Sequence, residues 1–157
     1  MVSNTEEWKE RRSGTRQMVR NLLAERQEML VAYCRLAGLE PYDPDKPVKR
    51  QLEEFCQLLM DYAAFGHFEL YGRISEGQER RADILGIAER VYPKIAEATE
   101  GAVAFNDKYD AAAHELDLES LPSDLSSLGE RLAMRLEMED RFVEALLAGV
   151  GNKSASG

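Results

Sequence analysis

The stretch from Leu52 to Ile74 constrains this chain more than any other, because it places apolar side chains on two rows of one helix. Leu52, Phe55, Cys56, Leu59, Tyr62, Ala63 and Gly66 recur at steps of three and four, the spacing that gathers side chains on one helical face. Beside them runs a second row, Leu58, Asp61, Phe65 and Phe68, at the same spacing. A helix at the edge of a small bundle needs only one apolar stripe, with polar residues opposite. Two rows mean either a central helix buried on both sides or a helix that keeps one row for a partner. Asp61, in the middle of the second row, favours the partner, because an uncompensated carboxylate is expensive to bury.

The rest of the chain repeats the helical spacing. Ser3 followed by Glu6 is the pattern of a capping box and predicts a short polar helix through about Arg12, interrupted at Ser13-Gly14-Thr15. Thr15 can then cap a long helix carrying Val19, Leu22, Leu23, Arg26, Met29, Leu30, Tyr33, Leu36 and Ala37, with Gly38 as its stop and Pro41 soon after. Pro41, Pro44 and Pro47 mark an extended surface loop before the organising helix starts near Val48. That helix is expected to bend or end by Gly72, where Ser75 and Gln78 offer the next cap.

A third pattern runs Ile84, Ile87, Val91, Ile95, Ala98, Ala102, Phe105, Tyr109, with Pro93 inside it predicting a kink or break. Asp107 to Asp124 is acidic and poorly patterned, and Leu121-Pro122-Ser123 reads as a helix start. The last pattern is Leu125, Leu128, Leu132, Arg135, Glu139, Phe142 and Leu146. Arg135 and Glu139 stand four residues apart, close enough to pair. The expectation is that Leu136 and Val143 shift the core face and leave the pair at the rim; the alternative is a buried functional pair. No segment alternates with period two as a strand does. The fold is therefore all-α, an antiparallel four-helix bundle with a short extra N-terminal helix, in a single domain over 1–148 followed by a disordered tail over 149–157.

Composition narrows the function. A chain of 157 residues with 44% hydrophobic and 31% charged residues suits one globular domain with a sizeable core. Its formal net charge of -9 opposes binding to nucleic acid phosphates and suits a basic partner. Cys34 and Cys56 form no CxxC, and with no apolar leader or membrane span in view they read as reduced thiols of a cytoplasmic protein. The two histidines, His67 and His114, lack the Glu-x-x-His pattern of di-iron bundles, and neither zinc spacing nor a catalytic motif is present. No metal, cofactor or catalytic residue is expected. A cavity between the helices, with Tyr62, His67 and the Arg135/Glu139 pair inside, is the alternative for an enzyme or a small-ligand binder. An exposed apolar row can also pair with its own copy, so weak self-association is expected.

The organising stretch resembles the Rsd/AlgQ regulators of the bacterial primary sigma factor. Phe55-Cys56-Gln57, Asp61-Tyr62, Gly66-His67-Phe68, Tyr71 and Arg73-Ile74 carry the resemblance. It extends back to Leu30-Val31-Ala32-Tyr33 and Gly38, and forward to Tyr92-Pro93, Asp107 to Asp110, Gly129-Glu130 through Arg135, and Glu139-Asp140. In all it spans roughly Met18 to Leu147 in collinear order. The Arg20-Asn21-Leu22 run and the loop from Glu40 to Arg50 depart from it. The resemblance implies a cytoplasmic anti-sigma factor that binds the C-terminal promoter-recognition domain of the primary sigma factor. Such a protein keeps sigma from core polymerase and from DNA, as growth slows. It further implies that Asp61 faces a basic residue of sigma, that Leu58, Phe65 and Phe68 supply apolar area with Tyr71 at the edge, and that Arg26, Leu30 and Tyr33 contribute from the neighbouring helix.

Overall fold

Four helices account for the described chain: α1 (Asn4–Ala37), α2 (Val48–Phe65), α3 (Ala82–Lys108) and α4 (Leu121–Ser156). The computed structural model describes the backbone over 4–43, 45–66, 82–110 and 115–156, and side chains over 14–43, 45–66, 84–110 and 115–148. The expected bend near Gly72 and the cap at Ser75 lie outside these residues.

Every helix follows its apolar spacing. All seven residues of the first α2 row are buried, from Leu52 through Gly66. On α3, Ile84, Val91, Ile95, Ala98, Ala102 and Phe105 are buried, as is Tyr109 just past its end, with Ile87 packed at the edge. Fully burying a Leu, Ile or Phe side chain stabilises by roughly 1.5–3 kcal/mol, so these rows supply the main drive for packing. Aromatic rings link three helices: Tyr33 meets Phe55 edge-on at 5.7 Å, and Phe55 meets Phe105 at 5.8 Å.

The helices close into a ring, with broad seams between α1 and α2 and between α3 and α4, and narrower seams between α2 and α3 and between α1 and α4. Cross-helix pairs give the directions. Tyr33 of α1 bonds Leu125 of α4 while Arg26, earlier in α1, bonds Asp140, later in α4. Lys108 of α3 pairs with Asp124, while Thr99 meets Arg135. Both seams are antiparallel, as the bundle reading expects.

Two boundaries differ from the sequence reading. The short N-terminal helix is not separate, because α1 runs unbroken from Asn4 through Ser13-Gly14-Thr15. A glycine inside a helix costs only about 1 kcal/mol relative to Ala, and Thr15 is buried, so packing outweighs the local signal. Of the kink or break expected at Pro93, the break does not occur, because α3 continues through it. At the other end, α4 runs to Ser156. Gly38 does stop α1, its N–H donating to Cys34 O at 2.9 Å. In the following loop, the Lys46 ammonium donates to the carbonyls of Leu39 and Pro41.

Candidate functional site

The outer row of α2 is where the sequence and the structure meet most directly. Leu58 and Phe65 are half-buried against the edge of the core, and Asp61 stands between them exposed to solvent. Among the described residues Asp61 has neither a hydrogen bond nor an ion pair. The row is therefore not a second buried face. Phe68, Tyr71 and His67 lie outside the described residues.

The candidates on α1 take a different direction. Arg26 places Nη1 2.8 Å from Asp140 Oδ1 and 3.7 Å from Glu139 Oε1. Burial works against the charge on Arg26, but the hydrogen bond to Asp140 and the Glu139 carboxylate more than offset it, so its pKa is raised. Tyr33 donates its hydroxyl to Leu125 O at 2.9 Å while its ring packs on Phe55. Leu30, between them on the helix face, is half-buried against the core. This stripe thus lies along the seam with α4. Another stripe of α1 flanks Leu58: Gln27, Val31 and Arg35, with Ala32 beneath, border an open groove of about 400 Å³ whose α2 side is Glu54 and Leu58. Sequence spacing could have hinted at it only through Val31, an aliphatic residue outside the core row and 38% exposed.

Inside the bundle lies a polar cluster that corrects the rim reading of Arg135 and Glu139. Both are sealed, at 1% and 0% exposure. Arg135 Nε donates to Glu139 Oε2 at 3.2 Å, Arg135 Nη1 donates to Thr99 Oγ1 at 2.9 Å, and the Tyr62 hydroxyl donates to Glu139 Oε1. The Arg135 guanidinium also sits 4.7 Å from the centre of the Tyr62 ring. The physical reason is that Val143 is buried beside Phe142 and Leu136 is half-buried, so the apolar face widens around the pair instead of moving past it. Partners from α2 and α3 then satisfy groups that water would otherwise have to reach. Burial, reinforced by the neighbouring carboxylate, pushes the Tyr62 hydroxyl pKa up, which keeps it a donor. Tyr62, Arg135 and Glu139 face one another and not solvent, so they do not line the accessible polar pocket that a ligand-binding cavity requires.

A second polar group holds the opposite end of the α3–α4 seam. Asp124 accepts from Lys108 Nζ at 2.6 Å and from the Tyr109 hydroxyl at 2.5 Å. Those two donors hold the Asp124 carboxyl below its ordinary value. Among the described residues no cluster of three His, Cys, Asp or Glu side chains could hold a metal ion. No described helix is long and apolar enough to cross a membrane.

Comparison with known proteins gives a consistent picture. The family model described as "Regulator of RNA polymerase sigma(70) subunit, Rsd/AlgQ" matches residues 1–147. The protein named "Regulator of sigma D" in Yersinia enterocolitica is 31% identical over 150 residues, covering 92% of this chain and 89% of that one. Its namesake in Yersinia pestis is 31% identical over 150 residues, covering 92% and 88%. The one in Salmonella arizonae is 31% identical over 147 residues, covering 91% and 90%. No solved structure matches.

Proposed function

We infer what this chain does from the family to which it belongs, the Rsd/AlgQ regulators of the RNA polymerase sigma(70) subunit. It acts as an anti-sigma factor in the bacterial cytoplasm, binding the C-terminal promoter-recognition domain of the primary sigma factor. A sigma factor held there is kept from core polymerase and from promoter DNA. The protein works by occupancy and not by catalysis, and it makes no contact of its own with nucleic acid.

The observation that carries this reading is Asp61, an exposed carboxylate without a described partner between two half-buried apolar residues on α2. Buried anchors around a fixed charge are what an interface of high specificity uses. The net charge of -9 suits attraction to a basic, DNA-reading surface. Phe68 and Tyr71 are proposed to extend the row, and the α1 stripe of Arg26, Leu30 and Tyr33 to brace it from the α4 seam.

Calorimetric titration of the protein with the isolated C-terminal domain of its own primary sigma factor, at two salt concentrations, tests the reading. Binding is expected to weaken with salt, and Asp61→Ala to cost about 2–5 kcal/mol of affinity if the contact is desolvated, with helicity unchanged. Failure of two folded proteins to bind, or an Asp61→Ala variant that unfolds, would overturn it.

A further inference from the structure

We propose that the groove between α1 and α2 seats one aliphatic side chain from a helix of the partner, with basic residues flanking that side chain. Val31 and Leu58 then become specificity-determining contacts beside Asp61; this rests on the partner-binding reading above.

The groove has an apolar floor and an acidic border. Ala32 is buried and Leu58 half-buried at its base, while Val31 stands 38% exposed on the α1 side. An aliphatic side chain left in water beside a hollow of about 400 Å³ gains by being covered. Glu28 on α1 and Glu54 on α2 border the groove from both helices, and Asp61 follows Leu58 by one turn on the same row. Among the residues that line the groove, Arg35 is the one cation, beside Glu28 and Glu54. None of the four has an ion pair among the described residues.

Charge complementarity selects the occupant. A second copy of this chain would bring the same carboxylates and another net charge of -9 to the contact, and like charges facing each other across an interface are unfavourable. Nucleic acid is opposed for the same reason. A helix presenting Leu, Ile or Met between Lys or Arg residues one turn away on either side satisfies both floor and border. This is recognition of a helix in a groove, read through anchors at helical spacing.

The experiment records amide spectra of ¹⁵N-labelled protein titrated with three synthetic helical peptides. One carries a central Leu flanked a turn away on each side by Lys, the second has Glu for Lys, and the third has Ser for Leu. The first peptide is expected to give saturable shifts at Val31, Ala32 and Leu58, and the other two to bind at least about tenfold more weakly. Val31→Ser, a surface change that leaves the remaining spectrum in place, should cost a similar factor. Equal shifts from all three peptides, or shifts confined to other helices, overturn the proposal. The same titration with the sigma domain separates the two readings. Sigma binding that leaves the groove amides unmoved and ignores Val31→Ser refutes the groove but not the family function. A Lys-flanked peptide that seats in the groove when the sigma domain fails to bind does the reverse.

Discussion

Replacing Glu139 by Ala probes the polar interior in a way that separates a structural carboxylate from a hydrated one. The side chain is fully sealed, accepting from the Tyr62 hydroxyl and from Arg135 Nε at 3.2 Å. Arg135, at 1% exposure, would keep its charge and its Thr99 contact but lose the Glu139 carboxylate, and Tyr62 would lose that acceptor. Removing one member of a buried ion pair typically costs 3–5 kcal/mol, mostly the penalty of the charge left behind. We therefore expect Glu139→Ala to destabilise by about 4 kcal/mol. With a urea m-value of ~2 kcal/mol/M for a domain of this size, the unfolding midpoint followed by circular dichroism falls by roughly 2 M. A control removes the charges together: Tyr62→Phe, Arg135→Met and Glu139→Leu in one chain. That variant leaves no buried charge among the three positions, and its midpoint should lie well above that of Glu139→Ala, close to the parent. A Glu139→Ala loss below about 1 kcal/mol would mean that water reaches Arg135, and would refute the sealed arrangement.

Other consequences follow from single contacts. A Cβ built on Gly129 lies 3.1 Å from Tyr33 Cζ and closer still to its hydroxyl, so Gly129→Ala forces Tyr33 off its bond to Leu125. Overpacking of roughly 1–3 kcal/mol exceeds the ~1 kcal/mol that Ala gains in a helix, so thermal unfolding should come earlier, and by less in a Tyr33→Phe background. Cys34 is exposed, whereas Cys56 is buried with its thiol pushed up to about 12, chiefly by burial. One thiol per folded chain should react with a disulfide reagent at pH 8, and the second only in denaturant; two equal fast phases would contradict this. Because Lys108 and Tyr109 depress the Asp124 carboxyl, its contribution is present above the unfolded carboxylate pKa of ~3.9 and is lost as pH falls through the folded value. Asp124→Asn should thus destabilise the protein at pH 7 but scarcely at pH 2, as read from urea midpoints at the two pH values.

Much of this molecule was legible because apolar spacing reports burial directly. The α2 row from Leu52 to Gly66 and the α3 row from Ile84 to Tyr109 are both core, apart from half-buried Ile87. The exposure of Asp61 was legible too, from the cost of hiding a carboxylate. The place of Arg135 and Glu139 was not, since a spacing of four shows that two side chains can pair but says nothing of Tyr62 and Thr99, which arrive from other helices. For the same reason the α1 stripe of Arg26 and Tyr33 could not be assigned to the α4 seam from its own helix. Gly14 and Pro93 misled in a simpler way. Their local costs are real, but the packing of Val91 and Ile95 around Pro93, and of Thr15 and Val19 after Gly14, is larger.

The narrow seam between α1 and α4 carries its bonds at two heights, Tyr33 to Leu125 and Arg26 to Asp140, and Tyr62 reaches Glu139 beside the second. Apolar ridges can slide past one another by a helical turn and find equivalent grooves. Directional bonds have no such equivalent, and a slip of one turn, about 5.4 Å, parts all three together. They work like the marks of a vernier, which agree at only one setting. Along its axis the bundle therefore has one register, fixed by a few polar atoms and not by the larger oily area around them.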